Sequence, residues 1–331
     1  MQIPVFRAEH ILPYMHFFQQ HGISAESSLR RFKLPTDYSE AYDIYLPQIA
    51  ALGALKDISE RQGVLDLAAR VTTKLQLSDF GDAIYNTVKH SPSLLIAIRR
   101  LANIIKLEDS SLSIGVKTYG NITWLIAQSP TGAEFDFNEW SNVTLLMHTV
   151  REFAGSNWQP ADIKLMSAQR ELGFVQQHLP DSRVFWHPDE SGISIPANFL
   201  SLTHTSDSIQ GSQENTLLDD LQSELGLQGT LKGLIAAYLP MGGLPIESLA
   251  EMAGVSSRSL QRRLKELGLS YSELLDQTRF ERAAHLLKNT DIKSLEIALQ
   301  VGYSDASHFT RSFKRITNMT PREYRREFRD Q

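Results

Sequence analysis

Apolar positions along the first hundred residues recur with the three-to-four spacing of helices and then switch to strict alternation. Residues 9–33 predict two short helices broken at His21-Gly22, the second ended by Leu34-Pro35. Ile49, Leu52, Leu55 and Ile58 carry the helical rhythm from Pro47 towards Val71, with Gly63 as a break. Helices are expected over 79–89 and 92–106, the latter opened by Ser91-Pro92 because proline suits a first helical turn. Residues 111–116 and 121–126 alternate polar with apolar on either side of Tyr119-Gly120-Asn121, which predicts a β-hairpin. A long helix over 137–153 follows, then strand-like pieces at 161–167, 183–186 and 193–195 and a short helix over 171–178. Residues 203–213 (THTSDSIQGSQ) are small and polar, as linkers are. The expected fold is mixed α+β: an α/β domain over 1–205, a linker with a short helix over 206–229, and an all-α domain over 230–331.

The all-α domain contains the same pattern twice. Pro245 opens a short helix with Ile246, Leu249 and Ala253 on its apolar face; Gly254 turns the chain, and Ser256 caps a second helix over 257–267. This is the arrangement of a helix-turn-helix. Leu260 and Leu264 of the second helix point inward, which puts Arg258, Gln261, Arg262 and Lys265 on the opposite face. Guanidinium forks and amides match purine edges in a major groove, and lysines suit phosphates. About fifty residues later Leu295, Ile297 and Ala298 form a short helix and Val301-Gly302-Tyr303-Ser304 a turn. A second reading helix over 305–317 then has Phe309 and Phe313 inward and Ser307, His308, Arg311, Lys314 and Arg315 outward or flanking. Between the units lies a helix over 271–289 begun by a capping box, Ser270-x-x-Glu273. At 1.5 Å per residue it would be about 27 Å long, a stiff spacer for two helices roughly one DNA turn (~34 Å) apart. Thr320-Pro321-Arg322-Glu323 opens a final basic helix.

Charge changes the picture in one respect. The net charge is −5, which is unpromising for a DNA binder. From Gly229 onward, however, 16 Lys and Arg stand against 12 Asp and Glu, whereas the preceding residues have 17 against 26. The basic excess is confined to the region that carries the repeated motif. There is no cysteine, which removes disulfides, thiolate metal sites and thiol catalysis and fits a reducing cytoplasm. No secretory signal or membrane-spanning run is evident, so a soluble cytoplasmic protein is expected.

The motifs Ser259-Leu260-Gln261-Arg262-Arg263-Leu264, Arg279-x-x-x-Ala283 with Leu286-Leu287, the run from Glu296-Ile297-Ala298 through Val301-Gly302-Tyr303-Ser304-Asp305 to Phe313-Lys314-Arg315, and Thr320-Pro321-x-x-Tyr324-Arg325 together resemble the AraC/XylS family of transcription regulators. The resemblance covers about 231–329. Asn318 stands where that family usually has glycine, and asparagine tolerates the same left-handed geometry. The resemblance implies that Arg258, Gln261, Arg262, Ser307 and Arg311 face bases, with Lys265, Lys314 and Arg315 assigned to phosphates. Tyr303, Phe309, Phe313 and Tyr324 are expected in the core, and His308 as a structural histidine more than a reader. Partners implied are promoter DNA and RNA polymerase.

The first two hundred residues say less. Phe80-Gly81-x-Ala83-x-x-Thr87 before Ser91-Pro92-x-Leu94 resembles the arabinose-binding-type sensor of the ornithine-utilisation regulator group. That implies a small-molecule effector; the alternative is a domain that only forms a homodimer or binds a protein. Tyr85, Trp124, Trp140 and His148 are the candidate effector contacts, although a purely structural place is the commoner reading for each: the core for Trp124 and Tyr85, a satisfied helix position for His148. His187, Asp189 and Glu190 cluster around Pro188 but make a weak metal site. No Gly-x-Ser-x-Gly, His-Glu-x-x-His or phosphate-binding glycine loop is present, and neither catalysis, a cofactor nor a metal is expected.

Overall fold

The computed structural model describes residues 3–38, 44–129, 136–166, 177–186, 190–204 and 227–329. The chain forms two compact units: 4–38 with 48–222, and 1–3 and 39–47 with 223–331. Most of the expected linker and all of the helix expected over 214–225 lie outside the described residues, as do His187 and Asp189 and most of the helix expected over 171–178.

The first unit begins with a strand that no sequence pattern announces, β1 (Val5–Arg7). It is clipped to the chain near residue 110: the Ser110 amide donates to the Val5 carbonyl at 2.9 Å, and the Val5 amide to Ser110 Oγ at 2.9 Å. The helices α1 (Leu12–Gln20) and α2 (Glu26–Arg31) follow, separated at His21-Gly22 as expected, with Gly22 at φ 66°. The short strand β2 (Tyr45–Pro47) belongs to the other unit. Next come α3 (Gln48–Gln62), α4 (Leu67–Thr72), α5 (Asp82–Lys89) and α6 (Leu94–Glu108). Helix α6 begins two residues later than Pro92 suggested, because Ser93 is extended (φ −153°, ψ 162°) as its N-cap.

A five-stranded sheet in the order β3-β4-β7-β5-β6 follows from β3 (Ser113–Tyr119), β4 (Ile122–Gln128), β5 (Asp162–Leu165), β6 (Arg183–Trp186) and β7 (Ser191–Pro196), with only β5 and β6 parallel. The hairpin turns through Gly120 at φ 58°, a backbone that glycine adopts without strain. Strand alternation gives the sheet two unlike faces. Leu125, Ile163, Ile193 and Ile195 lie fully buried on one face, against helix α7 (Asp136–Ala154), whose Glu139 accepts the Ser191 hydroxyl at 2.5 Å. Trp124 and Lys117 pair on the opposite face.

The second unit is all-helical but for β2. Its elements are α8 (Leu227–Tyr238), α9 (Ile246–Met252), α10 (Ser257–Glu266), α11 (Tyr271–Asn289), α12 (Ser294–Gln300), α13 (Ala306–Thr317) and α14 (Pro321–Phe328). The capping boxes Ser270/Glu273 and Thr320/Glu323 form as the sequence predicts, each hydroxyl taking the glutamate amide and each carboxylate the cap amide. Their carboxyls are accordingly held below the usual glutamate range, chiefly by Ser270 and by the Thr320 amide respectively. Asn318 ends α13 in the left-handed region at φ 59°, ψ 10°. On α9 the inward residues are Leu249 and Ala250; Ile246 and Ala253 are only half-buried, a shift of one position from the expected face.

Candidate DNA-binding surface

Helices α9 and α10 meet through a turn at Gly254 (φ 63°), and Ser256 caps α10 by accepting the Ser259 amide at 3.2 Å. Leu260 and Leu264 are fully buried and anchor α10. Their burial fixes its rotation, so Arg258, Gln261, Arg262 and Lys265 are left on the side away from the core, one and two turns apart along a single stripe. Arg262 lies 3.8 Å from Glu266 one turn on, with both side chains well exposed. A pair of that kind contributes little and leaves the guanidinium available.

The second helix-turn-helix repeats the plan with far more support. Asp305 caps α13 with one carboxylate oxygen accepting the Ser307 and His308 amides at 2.9 and 2.8 Å. The His308 amide is the main cause that holds its carboxyl below the usual aspartate range. Phe309 and Phe313 are buried, at 1% and 2% exposure. Ser307, Arg311, Lys314 and Arg315 lie on the other side, towards solvent. The turn residue Gly302 has φ 77°, and a Cβ there would lie 2.9 Å from the Leu239 carbonyl oxygen. Glycine is needed twice over at this position, for conformation and for space.

The spacer helix α11 holds this turn in place. Arg279 donates to the Gly302 carbonyl at 3.1 Å, and its guanidinium lies 4.8 Å from the centre of the Tyr303 ring. The Tyr303 hydroxyl in turn donates to Ser312 Oγ on α13 at 2.9 Å. Phe280 of α11 packs on Phe313 at 5.5 Å between ring centres, and Phe313 meets Tyr324 of α14 edge-on at 5.3 Å. Arg325 of α14 donates to the Ile292 carbonyl at 2.6 Å. Tyr303 is therefore core, Tyr324 is half-buried in the same aromatic cluster, and His308 is exposed with its ring edge-on to Tyr303 at 5.2 Å. In the sequence Arg279 and Arg325 stand within motifs but without a role. Both fix backbone carbonyls across elements, a function that leaves no local periodic signal.

Arg315 is distinct among the residues assigned to phosphates. Its guanidinium reaches Asp276 of α11 at 3.3 Å, with the arginine side chain 69% exposed. The contact is solvent-screened, so Arg315 remains able to exchange this partner for an anion.

The four effector candidates of the first unit are not gathered in one place. Trp124 lies on the outer face of the sheet under Lys164 Nζ, 4.2 Å from the ring centre. Helix α7, which carries Trp140 and His148, packs on the other face. Trp140 is 4% exposed, and its buried indole N–H has no partner among the described residues. His148 lies eight residues further along α7, about 12 Å at 1.5 Å per residue, and burial pushes its pKa down. Tyr85 is half-buried on α5 with Lys89 Nζ 5.8 Å from its ring. Glu190, a neighbour in sequence of His187 and Asp189, takes Lys117 at 2.5 Å and Lys164 at 3.1 Å, and the two ammonium groups offset its burial to hold its pKa low. Gly81 of the sensor-like motif has a clear structural reason: at φ 101° it packs on the buried Glu108, which a Cβ would approach to 3.1 Å. Glu108 pairs with Arg7 at 3.5 Å and His10 at 3.3 Å.

Two helix-turn-helix units joined by a long helix, each with an apolar side in the core and a cationic side in solvent, define a tandem DNA-binding domain. Comparison with known proteins agrees: residues 249–327 match the family described as Helix-turn-helix domain. The C-terminal region is thus an AraC-type helix-turn-helix domain. The chain is 36% identical over 105 residues to the HTH-type transcriptional regulator VirS of Mycobacterium tuberculosis, covering 32% of this chain and 31% of that one. It is 36% identical over 114 residues to the ornithine utilization regulator of Pseudomonas aeruginosa, covering 34% and 33%. Each match thus spans about a third of the relative's length. Among solved structures, the transcriptional regulator CdpR from Pseudomonas aeruginosa aligns over 96% of this chain and 98% of its own at 18% identity, with a TM-score of 0.42. No described helix is long and apolar enough to cross a membrane.

Proposed function

We infer that the chain is a sequence-specific, DNA-binding transcription regulator, an activator by its resemblance to the AraC/XylS family, and that its first unit responds to a small effector. The observation that carries the reading is the pair of outward stripes on α10 and α13, each set by two fully or nearly buried anchors on the same helix. Arg258, Gln261 and Arg262 supply base contacts in one major groove, and Ser307 and Arg311 in the next. Lys265, Lys314 and Arg315 hold the phosphates. Promoter DNA is the partner, with RNA polymerase recruited there, and the site of action is the cytoplasm. An effector acts by binding one arrangement of the protein more tightly than another, which is all that a ligand can use to shift an equilibrium.

The test is selection from a random duplex library by the full-length protein. The reading predicts enrichment of a bipartite motif. Equal retention of all sequences, falling together as salt is raised, would reduce the protein to a non-specific polyanion binder.

A further inference from the structure

Helix α8 buries more than one stripe, and such a helix has to be covered on more than one side. Leu231, Leu234, Ile235 and Tyr238 repeat at intervals of three and four residues and are at most 4% exposed. The Tyr238 hydroxyl is buried without a partner among the described residues, and burial pushes its pKa up to about 12. A second stripe, Gly233 and Ala237 one turn apart, is buried too. What lies on it comes from far back in the sequence. A Cβ built on Gly233 would fall 2.0 Å from Cδ2 of Tyr45, so the tyrosine ring rests directly on the bare helix backbone. Tyr45 opens strand β2, where Leu46 is fully buried, and the preceding Ile44 is 6% exposed. Residues 39–47 accordingly form one compact unit with 223–331, although the chain on both sides of them, 4–38 and 48–222, belongs to the other.

We propose that residues 44–47 are a strap seated on the small-residue face of α8, and that this strap is the latch by which the first unit governs the firmness of the DNA-reading unit. Glycine at position 233 is there to admit Tyr45, since in a helix interior it is otherwise inferior to alanine. The strap continues without a break into α3, whose first residue, Gln48, is fully buried and donates through Nε2 to the buried carboxylate of Asp109 at 2.8 Å. Asp109 also accepts from Ser111 and from Asn138 of α7 at 2.7 Å each. A rearrangement of that polar cluster pulls on the strap through covalent bonds. With the strap lifted, α8 loses a wall, and its packing on the spacer helix α11 loosens. The reading unit is on this account not the autonomous block that its sequence range suggests.

The experiment is hydrogen exchange on the full chain and three variants: Tyr45→Ala, Gly233→Ala and the double substitution. Tyr45→Ala and Gly233→Ala should each speed exchange of α8 amides about tenfold or more while the β3–β4 hairpin keeps its protection. In the Tyr45→Ala background the new methyl has room, so Gly233→Ala should cost nothing further or restore protection. Unchanged α8 exchange in Tyr45→Ala overturns the proposal. So does equal acceleration in the hairpin, or the same effect of Gly233→Ala in both backgrounds. If Gly233→Ala alone does not fold, folding of the double variant supports the strap, and failure of both overturns it.

Discussion

The two helix-turn-helix units share one plan and differ in how firmly it is held. The first turn, at Gly254, has open space where a Cβ would be, and its reading helix is capped by a neutral hydroxyl. The second turn is pressed against the Leu239 carbonyl, clamped by Arg279, backed by Tyr303 and Ser312, and capped by a carboxylate. A shared motif therefore does not imply a shared energetic design. The second helix-turn-helix is built as a rigid reference, and the first helix-turn-helix is left freer to be adjusted.

Four tests, using five substitutions and one change of pH, separate the two helix-turn-helix units, in falling order of effect. Gly302→Ala should cost about 2–5 kcal/mol, combining left-handed strain with the clash at Leu239, whereas Gly254→Ala should cost about 1–2 kcal/mol from strain alone. Urea melts of the two variants check this, and equal losses would erase the distinction. Arg279→Leu should cost about 1.5–3 kcal/mol through the charged hydrogen bond to Gly302. Its exchange signature should be confined to α12, α13 and the turn between them; protection there as in the parent chain would show that the clamp is ornamental.

Arg311→Ala should lose about 1–3 kcal/mol of discrimination at one half-site, and Arg262→Ala a similar amount at the other. Binding to duplexes altered in one half at a time reads this directly, and uniform weakening across all duplexes would reassign the residue concerned to phosphate. Finally, acid should tell the two caps apart. The Asp305 carboxyl is depressed in the fold, so its contribution is present above the ordinary aspartate pKa and lost as pH falls through the lower folded value. Amides at the start of α13 should lose protection below about pH 4, the usual aspartate range, before those of α10, whose Ser256 cap does not titrate. Simultaneous loss would mean that the acid response is global.

How much of this is legible in the sequence depends on range along the chain. Ser270 with Glu273, Thr320 with Glu323 and the left-handed Asn318 act over three or four residues, and each is readable because the chemistry is local. The outward stripes follow from Leu260, Leu264, Phe309 and Phe313, since an anchored helix has only one face left for solvent. The Arg279 clamp, the Arg325 tie and the Arg7–Glu108–His10 cluster join residues 23 to more than 100 positions apart, and no periodicity encodes such partners. The effector candidates fare differently for a related reason. Trp124 and Trp140 are aromatics of one hairpin and one neighbouring helix, but strand alternation puts Trp124 on the face turned away from α7. The strap at Tyr45 is invisible because its reason, a glycine nearly 190 residues later, looks like an ordinary helix flaw in the sequence.

Helices α10 and α13, held apart by the 19-residue helix α11, are proposed to read two major grooves at a fixed separation. The most direct test of this claim is the affinity of the full chain for its selected motif as base pairs are inserted between the halves. A rigid spacer predicts that an insertion of half a helical turn, roughly 5 base pairs, reduces binding to that of a single half-site. Unchanged affinity across the insertion series would contradict the claim.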